Sequence, residues 1–159
     1  MEKTRVVVFE ILPMVGKAIS ELLRSISSVE IIENEINNTD EALDLILEKK
    51  PDIVLLGNDF PGIDGYFFTK IIRQQASPTQ VIMFAEIASA DAVRQAMRAG
   101  ACDYISQKNL TVEELSTVLD HAKQLVNEEE AKISSEKMKK EVVSEPRDAV
   151  DADSAGATG

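Results

Sequence analysis

Five short apolar runs recur along this chain, and a segment with helical spacing follows each one. The runs are RVVVF (5–9), VEII (29–32), DIVLLG (52–57), QVIMFA (80–85) and CDYIS (102–106). RVVVF is a β-branched apolar run suited to a strand buried on both faces, DIVLLG is the most apolar and reads as the central strand, and VEII reads as a short edge strand. Strands that alternate with helices predict a parallel sheet covered on both sides. Right-handed crossovers and the modest span favour a doubly wound five-stranded sheet over a barrel, which needs about 250 residues.

The helical segments carry their own start and stop signals. Pro13 opens the first, where a missing N–H costs nothing, and Val15, Ala18, Ile19, Leu22, Leu23 and Ile26 share one face. NNTDEALDLILEKK is a second helix with Thr39 or Asp40 as the expected N-cap. PGIDG (61–65) is a turn, with Asp64 shaping it or capping the third helix, YFFTKIIRQ (66–74). ASADAVRQAMRAG (88–100) is a fourth helix, between Ser89 as N-cap and Gly100 as stop. Thr111 and Glu114 form a capping-box pattern ahead of Leu115, Val118, Leu119, Ala122, Leu125 and Val126. In doubly wound, flavodoxin-like (βα)5 sheets, ligands gather beyond the carboxyl ends of the strands. Those ends are Phe9/Glu10, Gly57/Asn58, Ala85/Glu86 and Ser106/Gln107.

Charge narrows the function classes. With 28 Asp and Glu against 17 Lys and Arg, the net charge is −11. A general nucleic-acid binder or an anionic-membrane binder needs clustered cations, so neither class is expected. The single cysteine, Cys102, rules out an internal disulfide, and one histidine, His121, leaves no His/Cys zinc set. Cys102 reads as a buried apolar residue and His121 as a rim residue. No apolar run approaches 18 residues, and the N-terminus shows no signal-peptide pattern, so a soluble, cytoplasmic, bacterial-style protein is expected. Composition changes after Val126. Residues 1–126 read as the folded domain, and 127–159 as an acidic helical extension passing into a disordered linker or tail from Ser144.

Two stretches carry a resemblance. PDIVLLGNDFPGIDG and AMRAGACDYISQK resemble, in motif order and spacing, the third-strand and fourth-helix-to-fifth-strand segments of response-regulator receiver (CheY-like) domains. The resemblance covers about residues 5–126. In that family two acidic residues after the first strand, with an acceptor Asp after the third, hold Mg²⁺. A Ser or Thr after the fourth strand and a Lys after the fifth bind the phosphoryl oxygens. Laid onto this chain, those positions fall on Glu10, Ile11, Gly57, Ala85 and Gln107. Of them only Glu10 is acidic, Gly57 has no nucleophile, Ala85 no hydroxyl and Gln107 no charge. The chain therefore resembles a pseudoreceiver, a receiver fold without the two-component phosphorelay chemistry. A Gly at the acceptor position is also similar to the N-terminal domains of MinD/ParA-type ATPases that place pilus machinery, the CpaE/TadZ group.

What the resemblance implies is a non-enzymatic, cofactor-free module that binds a protein partner, or itself as a homodimer, through its fourth helix, fifth strand and fifth helix. Arg94, Arg98, Tyr104 and Lys108 are the candidate interface residues, with Ala88 beside them. Arg94 and Arg98 lie four apart on one helical face and suit an acidic partner. Tyr104 matches the family's aromatic switch position, which Ala85 would uncouple. Three rivals stay open. Asp59, two residues past Gly57, is an alternative phosphoacceptor, Glu10 with Glu86 a weak cation site, and the fold a flavin or nucleotide binder. The last lacks a phosphate-cradling G-x-x-x-x-G-K loop.

Overall fold

In the computed structural model, side chains are described for residues 2–140. Five strands and five helices alternate: β1 (Thr4–Phe9), α1 (Pro13–Arg24), β2 (Val29–Ile32), α2 (Thr39–Lys49), β3 (Ile53–Gly57), α3 (Gly65–Gln75), β4 (Gln80–Ala85), α4 (Ala90–Ala99), β5 (Asp103–Ser106) and α5 (Val112–Thr158). Every strand pair is parallel, in the order β2-β1-β3-β4-β5. The expected doubly wound sheet is therefore present, with β3 at its centre and VEII at its edge. By its internal contacts the chain divides into two units, Met1–Val126 and Asn127–Gly159. The tail expected from Ser144 falls within the bounds of α5, and its side chains lie outside the described residues.

Alternation along each strand decides which face each side chain enters. Ile53 and Leu55 point to one side, with Val6, Ile82 and Phe84, and meet Ile19 and Leu23 of α1 and Leu115, Leu119 and Ala122 of α5. Val54 and Leu56 point to the other, with Val7, Phe9, Val81 and Met83, and meet Ala42 and Ile46 of α2, Phe68 and Ile72 of α3 and Ala96 of α4. Nearly all of these side chains are fully buried. Each large one contributes about 1.5–3 kcal/mol, so the two layers supply most of the driving force.

One helix end differs from expectation. Asn38, not Thr39 or Asp40, caps α2, its side chain accepting the Glu41 N–H. Thr39 is buried in the first turn, where its hydroxyl accepts the Ile63 N–H at 3.1 Å. Ser89 caps the fourth helix as expected by accepting the Ala92 N–H, so that the helix proper starts at Ala90. Asp64 and Thr111 cap as expected: Asp64 accepts from Tyr66 and Phe67, and Thr111 from Glu114.

Candidate functional site

Strand order reverses between β1 and β3, so a crevice opens beyond their carboxyl ends. Phe9 pairs with Leu56 in register, which brings Glu10 beside Gly57. One Glu10 carboxylate oxygen, Oε1, accepts the backbone N–H groups of Ile11 at 2.8 Å and Leu12 at 3.0 Å. The other, Oε2, lies against Gly57. A Cβ placed on Gly57 would collide with that oxygen, lie 2.9 Å from Glu10 Cδ and 3.3 Å from the Phe9 carbonyl oxygen. The Glu10 carboxylate thus fills the space in which a side chain at position 57 would begin.

The other positions of the crevice follow from backbone pairing that continues past the strands. Gln107 N–H donates to the Ala85 carbonyl at 2.7 Å, and Lys108 N–H to the Glu86 carbonyl at 3.0 Å. Ser106, which sequence reasoning left without a role, accepts the Ala88 N–H at 2.8 Å and ties the loop after β4 to the end of β5. Ala85 presents only a methyl, and the Gln107 side chain lines a groove with Glu86. Lys108 is exposed and, among the described residues, forms no ion pair.

These donors do not fit Mg²⁺. A magnesium site draws on hard oxygen ligands, usually one or two carboxylates with water and phosphate oxygens. Here one Glu10 oxygen is already engaged by two N–H groups, while Ile11 and Gly57 contribute no side-chain oxygen. Among the described residues no cluster of three or more His, Cys, Asp and Glu side chains is placed to hold a metal ion. Asp59 is exposed in the loop after β3.

Tyr104 is buried, at 7% exposure, rather than lying on the surface assigned to it from sequence. Among the described residues its hydroxyl has no hydrogen-bond partner. Burial first, then Tyr66 and the Asp59 carboxylate, push its pKa up to about 12. Arg94 and Arg98 are exposed on α4 and form no ion pair among the described residues. Cys102 is half-buried rather than buried, and His121 is exposed.

The response regulator receiver domain model matches residues 6–120. This chain belongs to that family. The receiver domain is 32% identical over 119 residues to protein-glutamate methylesterase/protein-glutamine glutaminase 3 of Geobacter sulfurreducens, covering 74% of this chain and 32% of that protein. It is 31% identical over 122 residues to the transcriptional regulatory protein NarL of Mycobacterium tuberculosis, covering 77% of this chain and 56% of that one. This receiver thus spans between a third and just over half of those relatives' length. The solved signal receiver domain of Mycobacterium tuberculosis NarL superposes with a TM-score of 0.69 at 31% identity, covering 77% of this chain and 98% of that one. A response regulator from Chloroflexus aurantiacus superposes with the same TM-score at 23% identity, which concerns the fold alone. No helix among the described residues is long and apolar enough to cross a membrane.

Proposed function

We propose that this receiver domain carries no phosphoryl group at the β3 end and signals through protein contacts. The observation that supports the reading is the Glu10 carboxylate lying against Gly57, at the position where the resemblance puts the acceptor. Phosphoryl transfer depends on a nucleophile held in line and on charge stabilisation of the transferred group. Gly57 offers no nucleophile, and Ile11 and Ala85 offer no metal ligand or hydroxyl. Exposed Arg94, Arg98 and Lys108, on α4 and just after β5, are the proposed contact residues for an acidic protein partner or a second copy. Burial removes Tyr104 from that surface unless the partner draws it out.

Incubation with acetyl phosphate and Mg²⁺ followed by intact mass tests the first half of this reading. No mass gain is expected, and a gain of one phosphoryl that disappears in Asp59→Asn would overturn it. For the second half, Arg98→Glu is expected to weaken capture of the physiological partner, and unchanged capture rejects the surface. A kinship with the N-terminal domains of pilus-placing ATPases rests on Gly57 alone, and a P-loop found downstream in the gene would support it.

A further inference from the structure

The groove between α3 and α4 combines exposed aromatic surface with positive charge on a chain whose net charge is −11. It encloses about 310 Å³. Two rings from α3 line it: Tyr66, half-buried, and Phe67, 56% exposed. From α4, buried Ala99 contributes only a methyl. A cation stands on each wall, Lys70 on α3 and Arg98 on α4. Both are exposed, and neither forms an ion pair among the described residues. Two polar neighbours are already engaged: Asp64 Oδ1 accepts the N–H groups of Tyr66 and Phe67, and Gln95 Nε2 donates to Asp91 Oδ2 at 2.7 Å. The volume lies near the lower end of the range for small-molecule sites, about 300–1,000 Å³, and suits one fused ring system better than a helix.

We propose that this groove binds a small aromatic carboxylate, its ring on Phe67 and Tyr66 and its carboxylate between Arg98 and Lys70. Arginine presents a planar fork of N–H donors that matches a carboxylate, and lysine adds a point charge. Ring-on-ring contact supplies the apolar area that a simple anion lacks. The inference goes beyond the proposed function. Arg98 belongs to both surfaces, whereas Phe67 and Lys70 belong to this groove alone and carry the test.

The test titrates the full chain with three probes. 2-Naphthoate carries both features, 2-naphthylmethylamine keeps the ring and reverses the charge, and acetate keeps the charge and drops the ring. Methyl NMR follows Ala99 at the groove, with Ala18 on α1 as the control. Saturable binding of 2-naphthoate is expected, with a Kd on the order of 0.1–1 mM for a ligand of that size. It should move Ala99 and leave Ala18 still. The amine and acetate should each bind about tenfold more weakly or worse. Phe67→Ser and Lys70→Gln should each weaken 2-naphthoate by about fivefold or more. Both positions are exposed, so the urea midpoint should hold. A titration still linear at about 5 mM, equal binding of the amine or of acetate, indifference to both substitutions, or shifts centred on Ala18 would each overturn the proposal. Dimerisation of the chain that is lost in Phe67→Ser would also overturn it, making a second copy the occupant.

Discussion

Glu10 occupies the space above Gly57. Its Oε2 stands where a Cβ at position 57 would lie, while its Oε1 holds the N–H groups of Ile11 and Leu12. The missing side chain at 57 and the longer carboxylate at 10 are therefore one arrangement. Gly57→Ala must displace the flexible end of Glu10 and loosen those two hydrogen bonds, at a cost of about 0.5–2 kcal/mol. In a Glu10→Ala background the same substitution is expected to cost little. A double-mutant cycle by urea unfolding reads the coupling, and additive effects would deny the contact.

A carboxylate introduced at position 57 is not expected by itself to confer phosphorylation there. Gly57→Asp places a second negative charge against Glu10, and Ile11 and Ala85 still provide neither a metal ligand nor a hydroxyl. Intact mass after acetyl phosphate and Mg²⁺ should show no phosphoryl on Gly57→Asp, together with a lowered urea midpoint. Stoichiometric phosphorylation of that variant would mean that Glu10 swings aside freely.

Tyr104 buries a hydroxyl that has no hydrogen-bond partner among the described residues. Removing it with Tyr104→Phe keeps the ring and relieves the unsatisfied group, so stability near neutral pH should hold or rise by up to about 1 kcal/mol. The pKa is raised from 10.0 to about 12 in the folded state, so between those values the unfolded chain loses its proton first. Wild-type stability is therefore intact below pH 10 and falls as pH climbs towards 12. Tyr104→Phe should shallow that fall without abolishing it, because the pKa of Tyr66 is also raised, by burial and then by Asp64 and Asp91. Urea midpoints at pH 8 and above pH 10 check both statements.

Asp52 closes the opposite end of the sheet. Its Oδ2 accepts the Arg5 N–H at 2.8 Å, and its Oδ1 meets Lys123 Nζ at 2.9 Å, with the two side chains 15% and 25% exposed. Asp52→Ala strands both partners and is expected to cost about 2–4 kcal/mol. Lys123→Met keeps the backbone hydrogen bond and should cost about 1 kcal/mol or less. Chemical denaturation of the two variants separates the contributions, and equal losses would put the whole effect in the ion pair.

Sequence reading reached far into this fold because its cause is local. Ile53, Val54, Leu55 and Leu56 are apolar on both alternations, which only a strand covered on both faces tolerates, and all four are fully buried. The proposed lack of phosphoryl transfer at the β3 end rests on residue type alone, since Gly57 carries no nucleophile and Ala85 no hydroxyl in any conformation. Cap choice was less legible. Asn38 displaced Thr39 because the Thr39 hydroxyl is taken by Ile63, 24 residues away.

What the chain order alone determined is the alternation of strands and helices, their inward faces and the absence of a side chain at Gly57, because each depends on residue type and spacing. Only the tertiary structure decided that Glu10 folds over Gly57 and that Tyr104 turns inward. Those facts arise where separate loops converge at one end of the sheet, and the distance between two loops is set by packing, which neighbours in sequence do not encode.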